Sequence, residues 1–197
     1  MSRIVSKKKG PDRRKIALYG GLTLLVVAVI VTIGIINQRS VPRAASDAPV
    51  NSQLKIGDAA PEFSVQTNAG PFDLAGVSTP VVLEVFATWC PHCQRETVVL
   101  NALAAKYAGK VALVAVSGSP NGIDGSSPES QVDVNRFGSQ FGVRYPIAYD
   151  PDLTVAGKYL QGGFPTLVVI GKNKKIAWIG SGETSPATIE KALKPVL

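Results

Sequence analysis

The 197-residue sequence predicts an α/β fold, a mixed central sheet flanked by helices with an N-terminal β-hairpin, preceded by one transmembrane helix. Three observations predict it. β-Branched runs alternate with helix-periodic segments through the C-terminal part of the chain. A Cys-x-x-Cys pair, Cys90 and Cys93, directly follows one of those runs. Finally, Ile16 to Ile36 is an uncharged, largely apolar stretch of 21 residues, and about 20 apolar residues cross a bilayer.

The apolar stretch is hydrophobic all round rather than striped, which favours a membrane span over a surface helix. Charge gives its orientation. Nine of the 21 Lys and Arg residues lie before residue 46, against the single acid Asp12, so residues 1–45 carry +8 and the remainder −1. Seven of the nine precede the span, and positive charge stays inside. The expected layout is therefore a cytoplasmic basic tail (1–15), a signal-anchor helix (16–37), a linker (38–53) and a globular domain (54–197). The protein is expected in the plasma (inner) membrane as a single-pass chain, with its C-terminal body outside the cytoplasm, where disulfides persist. A cleaved signal peptide is the competing reading, but its apolar core would run about 7–15 residues with a small-residue site close behind. Arg13-Arg14 fits a twin-arginine signal only loosely. No cysteine near the span could carry a lipoprotein lipid. The basic charge belongs to the tail, and the body shows no basic patch interleaved with aromatics, so no nucleic-acid partner is expected.

Within the body, 64–67 and 72–74 read as strands of a hairpin across Asn68-Ala69-Gly70-Pro71. Val81–Ala87 (VVLEVFA) and Val111–Ser117 (VALVAVS) are β-branched runs suited to strands buried on both faces. Between them Gln94–Tyr107 is helix-periodic in Val99, Leu100, Leu103 and Tyr107, with Gly109 beyond its end. Gly118–Pro128 is a polar glycine-rich loop without the Gly-Lys-Ser/Thr of a phosphate cradle, read as a surface loop or as a border of the active site. A helix is expected over Glu129–Phe141, and a hairpin joins 166–170 to 175–179. Ser185 caps a final helix with Pro186 at its first position and Ile189, Leu193 and Val196 facing inward.

The chemistry is concentrated in Trp89-Cys90-Pro91-His92-Cys93. A helix starting near Cys90 puts both sulfurs on its first turn, three positions apart on one face. The free backbone N–H groups and the positive end of the dipole there stabilise a Cys90 thiolate, the species that attacks disulfides. Pro91 suits the first turn because it has no N–H to leave unpaired. His92, the only histidine, can stabilise the thiolate further, by charge or by hydrogen bond. Other uses of the pair fit less well. Structural zinc needs about four ligands, more than two Cys and one His supply. A c-type haem needs His after the second Cys, and Gln94 stands there. A purely structural disulfide closing so short a loop adds little. Thiol–disulfide exchange is the expected chemistry, with no metal and no cofactor beyond the Cys90–Cys93 disulfide itself.

With this motif after VVLEVFAT, residues 54–197 resemble the thioredoxin superfamily. The lead-in Lys55-Ile56-Gly57-Asp58-Ala59-Ala60-Pro61-Glu62-Phe63 and the Phe-Ala-Thr-Trp-Cys run look like the membrane-anchored TlpA/ResA-type branch, whereas Pro91-His92 is similar to the DsbA-type dithiol oxidases. The resemblance implies a thioredoxin-like fold and matches Glu84, six residues before Cys90, to a buried acid that exchanges protons with Cys93. It also matches Pro165, in Gly162-Gly163-Phe164-Pro165-Thr166, to a cis-proline loop facing the sulfurs. Trp89, Pro91, Phe164, Pro165 and Thr166 are accordingly expected on the substrate-binding surface, although Phe164 is bulkier than the residue this loop ordinarily carries.

The resemblance implies protein thiols and disulfides as substrates and a membrane redox partner that recharges the pair. His92 leads to the expectation of a dithiol oxidant. The alternative is a disulfide reductant of the cytochrome c maturation type. From a different class, a copper-binding module would want further His or Met ligands, and the body has none beyond His92. A peroxidase is the remaining reading of Pro61-Glu62-Phe63.

Overall fold

The computed structural model describes residues 53–197, so the predicted basic tail, membrane span and nearly all of the linker lie outside the described residues. Among the described residues no helix is long and apolar enough to cross a membrane. The elements run β1 (Ser64–Thr67), β2 (Gly70–Asp73), β3 (Val81–Phe86), α1 (Pro91–Lys106), β4 (Ala112–Ser117), α2 (Gln131–Gln140), β5 (Ile147–Tyr149), α3 (Thr154–Tyr159), β6 (Thr166–Ile170), β7 (Ile176–Ser181) and α4 (Pro186–Leu193). The strands form one seven-stranded sheet in the order β2-β1-β5-β4-β3-β6-β7. Its centre is parallel, β3 with β4 and β4 with β5, and its flanks are antiparallel. This is a thioredoxin-like α/β arrangement.

β3 is buried along its whole length, which its composition requires, since a strand covered on both faces can afford few polar side chains. Alternation divides it cleanly. Val82 and Phe86 point into a core with Leu100, Leu103, Val134, Phe137, Ile189 and Leu193, drawn from α1, α2 and α4. Val81, Leu83 and Val85 point into a second core with Val155, Tyr159, Phe63 and Leu74. Each such side chain contributes roughly 1.5–3 kcal/mol by leaving water. Glu84 falls on the Val82 and Phe86 face and is 1% exposed, so a fully buried central strand carries an acid where an apolar residue would stabilise more.

Two elements have no counterpart in the sequence expectation, β5 and α3. β5 is three residues long and joins the parallel ladder through Ala115↔Ile147 and Val116↔Ala148. α3 has Leu153 at its start in a left-handed conformation (φ 51°). The buried Asp150 carboxylate caps it, accepting from the backbone N–H groups of Thr154, Val155 and Ala156 at 3.0, 2.8 and 3.1 Å.

Candidate active site

Cys90 sits at the N-cap of α1 in an extended conformation (φ −80°, ψ 118°), with Pro91 as the first helical residue. Its carbonyl accepts the Gln94 N–H at 3.1 Å, the first bond of the helical ladder. The N–H groups of His92 and Cys93 precede any intrahelical acceptor and so form the electropositive end of the helix. Both cysteines are free thiols. Cys90 retains 4% exposure and Cys93 none, so the first sulfur lies at the rim and the second behind it.

The sheet brings a second loop to the same place. β6 runs antiparallel beside β3 with Val85 opposite Thr166, so the segment entering β6 emerges where β3 gives way to the cysteine turn. The Phe164–Pro165 bond is cis, and the Cys90 thiol lies 3.7 Å from the Phe164 carbonyl oxygen, to which it donates. Trp89, 37% exposed, donates its indole N–H to Ser119 Oγ at 2.8 Å and meets the Phe164 ring edge-on, centroids 6.1 Å apart. Pro91 is exposed beside them. Thr166 is different. It was expected on the substrate surface, but it is fully buried, with its hydroxyl donating to the Gly163 carbonyl at 2.8 Å and accepting the Gln161 N–H at 3.1 Å. Thr166 therefore braces the loop from beneath and offers no surface to a substrate.

Behind Cys93 stand two carboxyl groups. Glu84 Oε2 accepts from the Tyr145 hydroxyl at 3.4 Å, and Oε1 has no partner among the described residues. Burial first, and then the neighbouring Glu96, push the Glu84 carboxyl well above the ordinary carboxylate value. Burial and the Glu84 carboxylate likewise push the Cys93 thiol up, against a backbone hydrogen bond from Ala87. Glu96 was not singled out in the sequence, where a Glu in a helix reads as solvated. It is 1% exposed, its Oε2 accepts the Thr184 N–H at 3.0 Å, and Oε1 is unpaired. Desolvation outweighs that bond and raises its carboxyl to about 7. The periodicity that could have found it is the stripe Cys93, Glu96, Thr97, Leu100, Leu103, all buried on one face of α1.

His92 does not face the pocket alone. Its ring Nδ1 lies 2.6 Å from Glu183 Oε1, in the loop after β7, and Arg95 Nε donates to the same oxygen at 3.0 Å. Hydrogen bonds from Arg95 first and from His92 second hold the exposed Glu183 carboxyl down at about 2.

On the other flank, the buried Glu129 accepts from Thr88 Oγ1 at 2.9 Å and from the Ser117 hydroxyl. The Tyr149 hydroxyl donates to its carbonyl at 2.8 Å. Glu129 thus ties the glycine-rich segment to the ends of β3, β4 and β5. That segment carries Ser119, so it borders the active site through Trp89.

A nucleophile at a helix N-terminus, a resolving thiol one turn on and a cis-proline loop opposite define a thioredoxin-like thiol–disulfide oxidoreductase. The chain belongs to the AhpC/TSA family, which matches residues 56–179, and its relatives place it in the TlpA/ResA-like part of the thioredoxin superfamily. It is 30% identical over 149 residues to the thiol-disulfide oxidoreductase ResA of Bacillus thuringiensis strain Al Hakam, covering 73% of this chain and 80% of that protein. The ResA of Oceanobacillus iheyensis is 26% identical over 97% of this chain and 94% of its own length. Among solved structures, a putative thiol:disulfide interchange protein DsbE from Chlorobium tepidum superposes with a TM-score of 0.63 at 26% identity, over 73% of this chain and 99% of that one.

Proposed function

We propose that the protein is a disulfide reductant tethered to the outer face of the plasma membrane, giving up electrons from Cys90 and Cys93 to disulfides in other proteins. The direction rests on one observation, the acidic surround of the pair. Glu84 and Glu96 stand behind Cys93, and the two nearby basic side chains, His92 and Arg95, are both engaged by Glu183. A thiolate without a committed cation is less stable, and a less stable reduced form is a better electron donor. His92 alone, read from the motif, argued for an oxidant; its pairing with Glu183 reverses that preference.

In the reaction the Cys90 thiolate attacks one sulfur of the substrate disulfide, and the other leaves as a thiolate. The substrate segment lies extended against the Phe164 backbone, beside Trp89 and Pro91. Glu84 takes the Cys93 proton, its raised basicity matching a carboxylate to a thiol. The Cys93 sulfur then attacks Cys90 Sγ and displaces the second substrate sulfur, which is protonated on release. The substrate gains two electrons and two protons, and Cys90 and Cys93 are left as a disulfide. A membrane dithiol partner returns the electrons. The resemblance to ResA-type proteins makes a disulfide in an apocytochrome c the first substrate to try. The uncharged stretch from Ile16 and the basic residues before it support the tether.

Equilibration of the full-length protein with a thiol–disulfide buffer tests the direction. A potential below about −250 mV is expected, whereas a value near the −120 mV of strong oxidants would refute the proposal.

A further inference from the structure

The loop that follows β7 is fastened to the first turns of α1 at two points. The Thr184 N–H donates to the buried Glu96 carboxylate at 3.0 Å, and the adjacent Glu183 reaches His92 at 2.6 Å and Arg95 Nε at 3.0 Å. The first contact is buried and fixes the loop; the second is exposed and places a carboxylate on the motif's only histidine. His92 lies within the turn that carries both sulfurs, yet its Nδ1 is turned to Glu183 Oε1, with the Arg95 guanidinium, which donates to the same carboxylate, packed beside it.

We infer that Glu183 is a positioning residue that sets the redox poise of the pair by holding His92 away from the Cys90 sulfur. The inference deepens the proposed direction and rests on that reading for its biological sense. The groups facing His92 are Glu183 and Arg95, with Glu96 one turn behind on the same helix, so a single carboxylate decides whether the imidazole ring is held at a fixed acid or left free for a forming thiolate. A cation within about 4–6 Å of an anionic group favours that ion by roughly tenfold or more. Freeing His92 should therefore stabilise the reduced pair. No electrons beyond those of the established exchange are needed, since only the equilibrium between dithiol and disulfide moves.

The test is a double-mutant cycle on the full-length protein, read as the equilibrium constant against reduced and oxidised glutathione. Glu183→Gln should shift the equilibrium toward the dithiol by about tenfold, equivalent to about 30 mV for this two-electron couple. In a His92→Ala background the same Glu183→Gln change should shift it less than about threefold, because the group it released is gone. An unchanged equilibrium in the single variant overturns the inference. So does a full tenfold shift in the His92→Ala background, which would place the effect on Arg95 or on charge alone. The absolute wild-type value tests the reductant reading separately, because the cycle depends only on differences.

Discussion

Replacing Glu96 with Gln puts a number on what the buried carboxylate costs. The group is buried, its carboxyl is raised to about 7 from the ordinary 4.5, and desolvation is the first cause. In the unfolded chain it ionises near 4.5; in the folded one it holds its proton until about 7. An acid whose folded value is raised gives full stability below its unfolded value and loses it as pH climbs, here from about 4.5 to about 7, with a plateau beyond. At 1.36 kcal/mol per pH unit the interval amounts to about 3 kcal/mol, and water penetration reduces it toward about 2. Gln keeps an oxygen for the Thr184 N–H and never ionises. The variant should match the wild type near pH 4.5 and exceed it by about 2–3 kcal/mol at pH 8, slightly more if relief of the Glu84 carboxyl adds to it. Urea unfolding of both reduced proteins at the two pH values measures this. A difference that stays the same at pH 4.5 and pH 8 would refute the desolvation argument, whatever its size.

Other perturbations address separate parts of the molecule. Cys90→Ser should abolish turnover, while Cys93→Ser should accumulate a mixed disulfide through Cys90 that mass spectrometry detects on the intact protein; full activity in either variant would end the exchange mechanism. Glu84→Gln removes the proton acceptor for Cys93 and should slow resolution of the mixed disulfide by about 10²-fold in single-turnover kinetics, with substrate attack on Cys90 little changed. Glu129→Ala leaves the buried Thr88 and Ser117 hydroxyls without their acceptor and should cost about 2–4 kcal/mol in urea unfolding, with faster proteolysis between Pro120 and Pro128. Gly118→Ala would press a Cβ to 2.6 Å from Val85 Cγ1 and 2.7 Å from Ala156 Cβ, and should cost about 1–3 kcal/mol by the same assay.

What could be read from the sequence was local. Val81–Phe86 and Ala112–Ser117 announce themselves because strands covered on both faces have little room for polar residues, and Ser185-Pro186 marks a helix start by its own chemistry. The Cys-x-x-Cys pair needed only its strand-to-helix context, and Glu84 was reached through the resemblance, by its place six residues before Cys90. β5 and α3 escaped because three and six residues are too short to show a period, and α3 opens through a left-handed Leu153 that no propensity predicts. Glu183 reaches His92 across 91 positions and Glu129 reaches Thr88 across 41, so their meeting depends on the folded sheet and leaves no local trace. Thr166 was misplaced for a related reason, since adjacency to Pro165 says nothing about which way a side chain points.

The pairing of Val85 with Thr166 also bears on how such a protein can be altered. The strands that lead to the nucleophile and from the docking segment are neighbours in one ladder, so strand geometry brings the two turns side by side. Adding or removing a single residue within β6 would turn Val168 and Ile170 from one core to the other while dragging Phe164 off its mark. Side-chain changes on the exposed surface of the flanking turns leave the rungs alone. Redesign of partner preference therefore belongs on exposed side chains of the two turns, such as Trp89 and Pro91, with the length of each turn kept.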